Sequence, residues 1–187
     1  MSKDPLARLA ERQQWTAPFE EPLQDAVRGV FSSMEKNGHA IRNALHGTWL
    51  HEPLHSIIVE VPTGSWTGTV VFDTIAAMSG SKNMDIAADA TIVLGLVGAV
   101  GAAVTGMNDW ADTEGAPRRI GAVHAALNVV SLGLFGASWL ARRKRGSRTT
   151  ARVLAAVGYV VISASAHLGG NLVYEHGIGV QDTQPLD

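Results

Sequence analysis

The sequence contains no cysteine. That excludes disulfides, thiolate-ligated iron–sulfur clusters and cysteine nucleophiles within this chain. It also lacks a net positive field, with a formal charge of -2, so nothing in its charge balance points to nucleic acid. The opening stretch MSKDPLARLAERQQW has no apolar segment of the kind a cleavable signal peptide needs, so the first apolar run is expected to act as the insertion signal. No glycine loop of the phosphate-binding type and no credible Ser-His-Asp order is present, and nothing identifies a substrate.

What the chain does have is long apolar runs. Residues 54–78, 87–107, 120–140 and 153–174 each hold about 20 residues, enough at ~1.5 Å per residue to cross a hydrocarbon core of ~30 Å. The first is the most polar, carrying Glu60, Pro62 and Asp73, so one of its faces is expected to line the bundle interior. Gly and Ala crowd the second (GLVGAVGAAVTG) and fourth (AAVGYVVISASAHLGG), which suits close packing between membrane helices. The expected fold is all-α, an integral membrane four-helix bundle with an N-terminal amphipathic helix.

The connectors set its orientation. Arg142, Arg143, Lys144, Arg145, Arg148 and Arg152 follow the third run, and Lys82 follows the first. Those two loops share a side, and the positive-inside rule makes it cytoplasmic. Both termini then face outward. In the N-terminal segment Leu23, Val27, Val30, Phe31, Met34, Ile41 and Leu45 follow helical spacing, giving an amphipathic helix over roughly 20–45. It is expected either on the outer membrane surface or against a loop or partner. Residues 1–19 and 181–187 read as tails. The domain division is therefore 1–45 for tail and amphipathic helix, 46–180 for the transmembrane domain and 181–187 for the C-terminal tail.

The seven histidines are His39, His46, His51, His55, His124, His167 and His176. His51 and His55 fall at the outer mouth of the first span, His124 about 6 Å into the third and His167 about 10 Å into the fourth. Three helices thus bring a histidine to the outer third of the bundle. Ionisable groups within a membrane are costly and usually functional. Neutral imidazole ligates iron, zinc or copper. A b-type haem would take His124 with His55 or His167, and His51 is a further candidate. A non-haem iron or zinc site would use His55, His124 and His167 with a carboxylate from Glu60, Asp109 or Asp112. In a third arrangement the histidines hydrogen-bond carboxylates and backbone, and the protein serves as a non-catalytic accessory subunit. For Asp109 and Asp112, capping or pairing with Arg118 and Arg119 is the simpler expectation, and accepting an N–H from the imidazoles of the histidine cluster the alternative.

The stretches LHGTWLHEPLHSIIVEVPTGSWT, GMNDWADTEGAPRRIGAVHAALN and HLGGNLVYEHGIGV resemble a family of bacterial multi-pass membrane proteins, domain of unknown function 2231, over about residues 46–180. Some members look to be joined to Rieske-type iron–sulfur domains, which implies a redox setting. The family-like residues would be His51, His55, His124 and His167, with Asp109, Asp112 and Arg119 in the loop motif. This chain ends at Asp187 without such a domain, so a redox partner is expected on another chain. The leading expectation is a membrane redox protein that binds haem b near its outer face and exchanges electrons with a protein partner or membrane complex.

Overall fold

The computed structural model describes residues 2–33, 38–143 and 147–180. Met34 of the expected amphipathic stripe, Lys144 and Arg145 of the basic loop, and the 181–187 tail lie outside the described residues. All regular structure among the described residues is helical: α1 (Pro5–Glu11), α2 (Ala17–Ser33), α3 (Gly38–His46), α4 (Leu54–Ile58), α5 (Glu60–Ser79), α6 (Lys82–Trp110), α7 (Gly115–Arg143) and α8 (Arg148–Tyr174). Of these, α6, α7 and α8 are long and apolar enough to cross a membrane.

Local chemistry sets the boundaries. Asp4 caps α1, its carboxylate accepting from the Ala7 N–H at 2.8 Å, and Pro5 takes the first turn, where no N–H is needed. Gly80, at φ 71°, ends α5 in the left-handed region and donates its N–H to the Ala76 carbonyl. The Ser147 hydroxyl accepts from the Thr150 N–H at the start of α8.

The helices differ from the sequence expectation in three places. The first apolar run is broken at Val59 into the short α4 and the 20-residue α5. Thr63, Ser65, Thr67, Thr69, Asp73 and Thr74 dilute the apolar character of α5, and it is not among the helices that meet the apolar criterion. The expected helix over 20–45 consists of α2 and α3, and residues 5–11 and 17–19, expected as tail, are helical. The spans also run past the apolar runs. Polar ends such as Lys82–Asp85 and Asn108–Trp110 remain helical because a continuing helix satisfies its own backbone.

The chain divides into two compact units. One comprises residues 58–101 and 127–165. Its centre is Trp66, Ile92, Phe135 and Ala155. The Trp66 and Phe135 rings stack with centroids 4.1 Å apart and planes 9° apart. Gly95 makes room for this pair: a Cβ there would sit 2.3 Å from the Trp66 indole nitrogen. The other unit comprises 1–57, 102–126 and 166–187. It joins α1–α4 to the adjoining ends of α6, α7 and α8.

Candidate functional site

The unit built from 1–57, 102–126 and 166–187 holds every histidine. The last turns of α6 bring together Thr105, Gly106, Asn108 and Asp109. Against them lie α3, which supplies Arg42 and His46, and α4, which supplies His55. The His46 Nδ1 lies 2.9 Å from an Asp109 carboxylate oxygen, and both side chains are almost wholly buried. An imidazole N–H donating to a carboxylate is a charge-assisted bond of the stronger kind. Arg42 donates to the Asn108 amide oxygen at 3.3 Å and pairs with Asp112. α3 thereby holds the end of α6 and the short loop after it.

His55 lies on the same face of α6. Its Nδ1 is 3.2 Å from the Thr105 hydroxyl, and its ring is so close to Gly106 that a Cβ there would sit 2.7 Å from Cε1. The Asp109 carboxylate is also within electrostatic reach of His55. A Cβ on Gly179 would lie 3.3 Å from its second oxygen.

The other candidates are distributed differently. His124, half-buried, packs its ring against Gly169 of α8, where a Cβ would lie 3.1 Å from Cε1. His167 turns outward with 55% of its side chain exposed, and its Nε2 meets the Asp4 carboxylate at 2.5 Å. His51 is exposed in the turn before α4 with a left-handed φ of 58°, a conformation uncommon for a non-glycine residue. Glu60 is exposed at the start of α5, in the other unit. No group of three or more His, Asp or Glu residues among the described residues could hold a metal ion. Asp109 and Asp112 pair with His46 and Arg42, not with the expected Arg118 and Arg119. Arg119 instead reaches Glu20 of α2 at 3.0 Å, and Arg118 donates to the Thr113 carbonyl.

A second set of charges closes one end of the 58–101 and 127–165 unit. Arg142, with a side chain only 2% exposed, holds Asp73 with both guanidinium NH groups and Asp89 at 3.1 Å. Arg148 bridges Asp85 and Asp89, and Arg152 reaches Asp85 at 2.9 Å. Three of the basic residues read as topology signals are thus matched by aspartates. The sequence does carry a trace of this: Asp85 and Asp89 are four residues apart, as are Arg148 and Arg152, so each pair shares a helical face. No comparable trace joins His46 to Asp109, which are 63 residues apart.

The model of a family described as a predicted membrane protein, DUF2231, matches residues 51–182. No curated protein and no solved structure matches the chain.

Proposed function

The chain belongs to the DUF2231 family of predicted membrane proteins, and from that premise we propose a non-catalytic membrane subunit that contributes a rigid outer platform to a larger membrane complex. In this reading four helices cross the membrane, with α5 as the fourth span beside α6, α7 and α8. The subunit lies in a bacterial plasma membrane with both termini outward. The paired Asp73–Arg142 side chains favour that use of α5, because pairing lowers the cost of ionisable groups at membrane depth. The Lys82 and Arg142–Arg152 side is cytoplasmic by its basic residues.

The observation that carries the reading is the buried His46–Asp109 pair. With Arg42–Asp112, Glu20–Arg119 and Asp4–His167, it spends ionisable groups on holding the N-terminal helices to the ends of α6, α7 and α8. Such a network orders a surface and leaves its members engaged with one another.

A second reading keeps the redox role. The His55 Nδ1 held by Thr105 resembles the way a metal-bound imidazole is usually oriented through its other nitrogen. His55 and His124 would then be the residues that hold a b-type haem, which would supply one-electron transfer when bound. His167 fits that role poorly, since its Nε2 is committed to Asp4. A non-haem iron or zinc site would need His55 and His124 joined by a third donor freed from its present partner.

One preparation separates the two. The protein is expressed with haem supplied and extracted in mild detergent. Oxidised and dithionite-reduced spectra, elemental analysis and native electrophoresis are then recorded. The platform reading expects no Soret band, no stoichiometric metal, and migration in an assembly that contains other subunits. A dithionite-sensitive Soret band that is lost in His55→Ala would replace it with the haem reading.

A further inference from the structure

Helix α2 is docked the wrong way round for a helix packed on a protein core. Its polar side faces inward. Glu20 pairs with Arg119 of α7, and the fully buried Gln24 donates to the carbonyls of Trp110 and Thr113, both at 2.9 Å. Arg28 donates to the Ala111 carbonyl at 3.0 Å. The apolar side is left outside: Phe19, Leu23, Ala26 and Val30 fall at i, i+4, i+7 and i+11, on one face, and all are exposed, Phe19 at 66%. Trp15, in the turn just before the helix begins, is exposed too. No charged residue lies within it.

We infer that this face of α2 is immersed in the outer lipid headgroup and upper acyl region, so that α2 is an interfacial helix held in place through its polar side. The depth of its anchors supplies the argument. Its inward bonds go to Trp110 at the C-terminal end of α6, to Ala111 and Thr113 just past it, and to Arg119, one turn into α7. Each of those two helices has 29 residues, about 43 Å, against a hydrocarbon core of about 30 Å. Their ends therefore project into the headgroup layer, and α2 is fastened at that level. Indole rings favour the same layer, which suits Trp15. Interfacial helices usually keep a charged face in water; here Glu21 and Asp25 stay exposed on one side, Glu20, Gln24 and Arg28 bond to protein on another, and the apolar face is left for lipid.

The absence of native cysteine makes the test direct, because a single introduced cysteine carries a nitroxide label at a unique position. Phe19→Cys, Leu23→Cys and Val30→Cys report the apolar face, and Glu21→Cys and Ser32→Cys report exposed positions off it. The inward bonds stay intact in all five. The full chain is reconstituted in phosphatidylcholine–phosphatidylglycerol vesicles, and collision with oxygen is compared with collision with a neutral nickel chelate. The expected result is an oxygen-to-nickel ratio severalfold higher at 19, 23 and 30 than at 21 and 32. Equal ratios at all five would overturn the inference by showing the face in water. Exclusion of both reagents at 19, 23 and 30 would overturn it in favour of a second copy or a protein partner.

Discussion

The Asp109 carboxylate and the His46 imidazole meet at 2.9 Å with 7% and 5% of their side chains exposed, joining the end of α6 to α3. Removing one member of a buried, hydrogen-bonded pair leaves the other unsatisfied, at a cost of about 3–5 kcal/mol. His46→Ala is therefore expected to lower the thermal unfolding temperature in detergent markedly. Asp109→Asn, which keeps an acceptor, should lower it less. Equal stability of His46→Ala and the parent would show that the pair does not hold the platform.

The Asp73–Arg142 pair makes a similar prediction in the other unit. Asp73→Ala removes the bidentate partner of a guanidinium that is 2% exposed and leaves it Asp89 and the Ser138 hydroxyl among the described residues. The double variant Asp73→Ala/Arg142→Ala should be less damaged than the sum of the two single variants, with a coupling of about 0.5–3 kcal/mol in a double-mutant cycle. Strict additivity would contradict the pairing.

Gly95 faces the Trp66 ring at a distance no Cβ tolerates. Gly95→Ala must displace the ring from its stack on Phe135, and overpacking of this kind costs about 1–3 kcal/mol. The readout is the thermal midpoint together with the tryptophan near-ultraviolet circular dichroism. Gly64→Ala, inside α5 at a position open around its would-be Cβ, serves as the control: it should leave the circular dichroism unchanged and should not lower the midpoint.

Acid should release the N-terminal segment. The Ala7 N–H, then the bond to His167, holds the Asp4 carboxyl below its ordinary value of 3.8. The Ser2 hydroxyl holds that of Glu175 below 4.5. Both values are depressed in the folded state, so the stabilisation is present above the unfolded values and lost as pH falls through the lower folded ones. Hydrogen exchange at residues 2–11 is expected to stay protected at pH 6 and to rise as pH falls below about 4, after correction for intrinsic rates. Protection unchanged down to pH 2 would show that these carboxylates do not hold the segment.

Much of this architecture is visible in periodicity alone. The apolar runs at 87–107, 120–140 and 153–174 correspond to α6, α7 and α8, because burial in hydrocarbon demands length and composition that are local properties of the chain. The inverted docking of α2 was not visible. Spacing identifies a helix with two faces, and it does not say which face meets protein when lipid is an alternative apolar solvent. Histidines at similar depth by sequence position are also held differently: His55 and His124 pack against glycines of neighbouring helices, while His167 points outward to Asp4.

The sequence by itself determined that this is an all-helical membrane protein and that its histidines collect towards one set of helix ends, because hydropathy and helical rise act over neighbouring residues. Only the tertiary structure decided which charges meet. His46 reaches Asp109, Arg42 reaches Asp112, and Arg142 reaches Asp73. Those choices depend on which helix faces approach in space, and they are enforced by the cost of leaving a buried polar group without its partner.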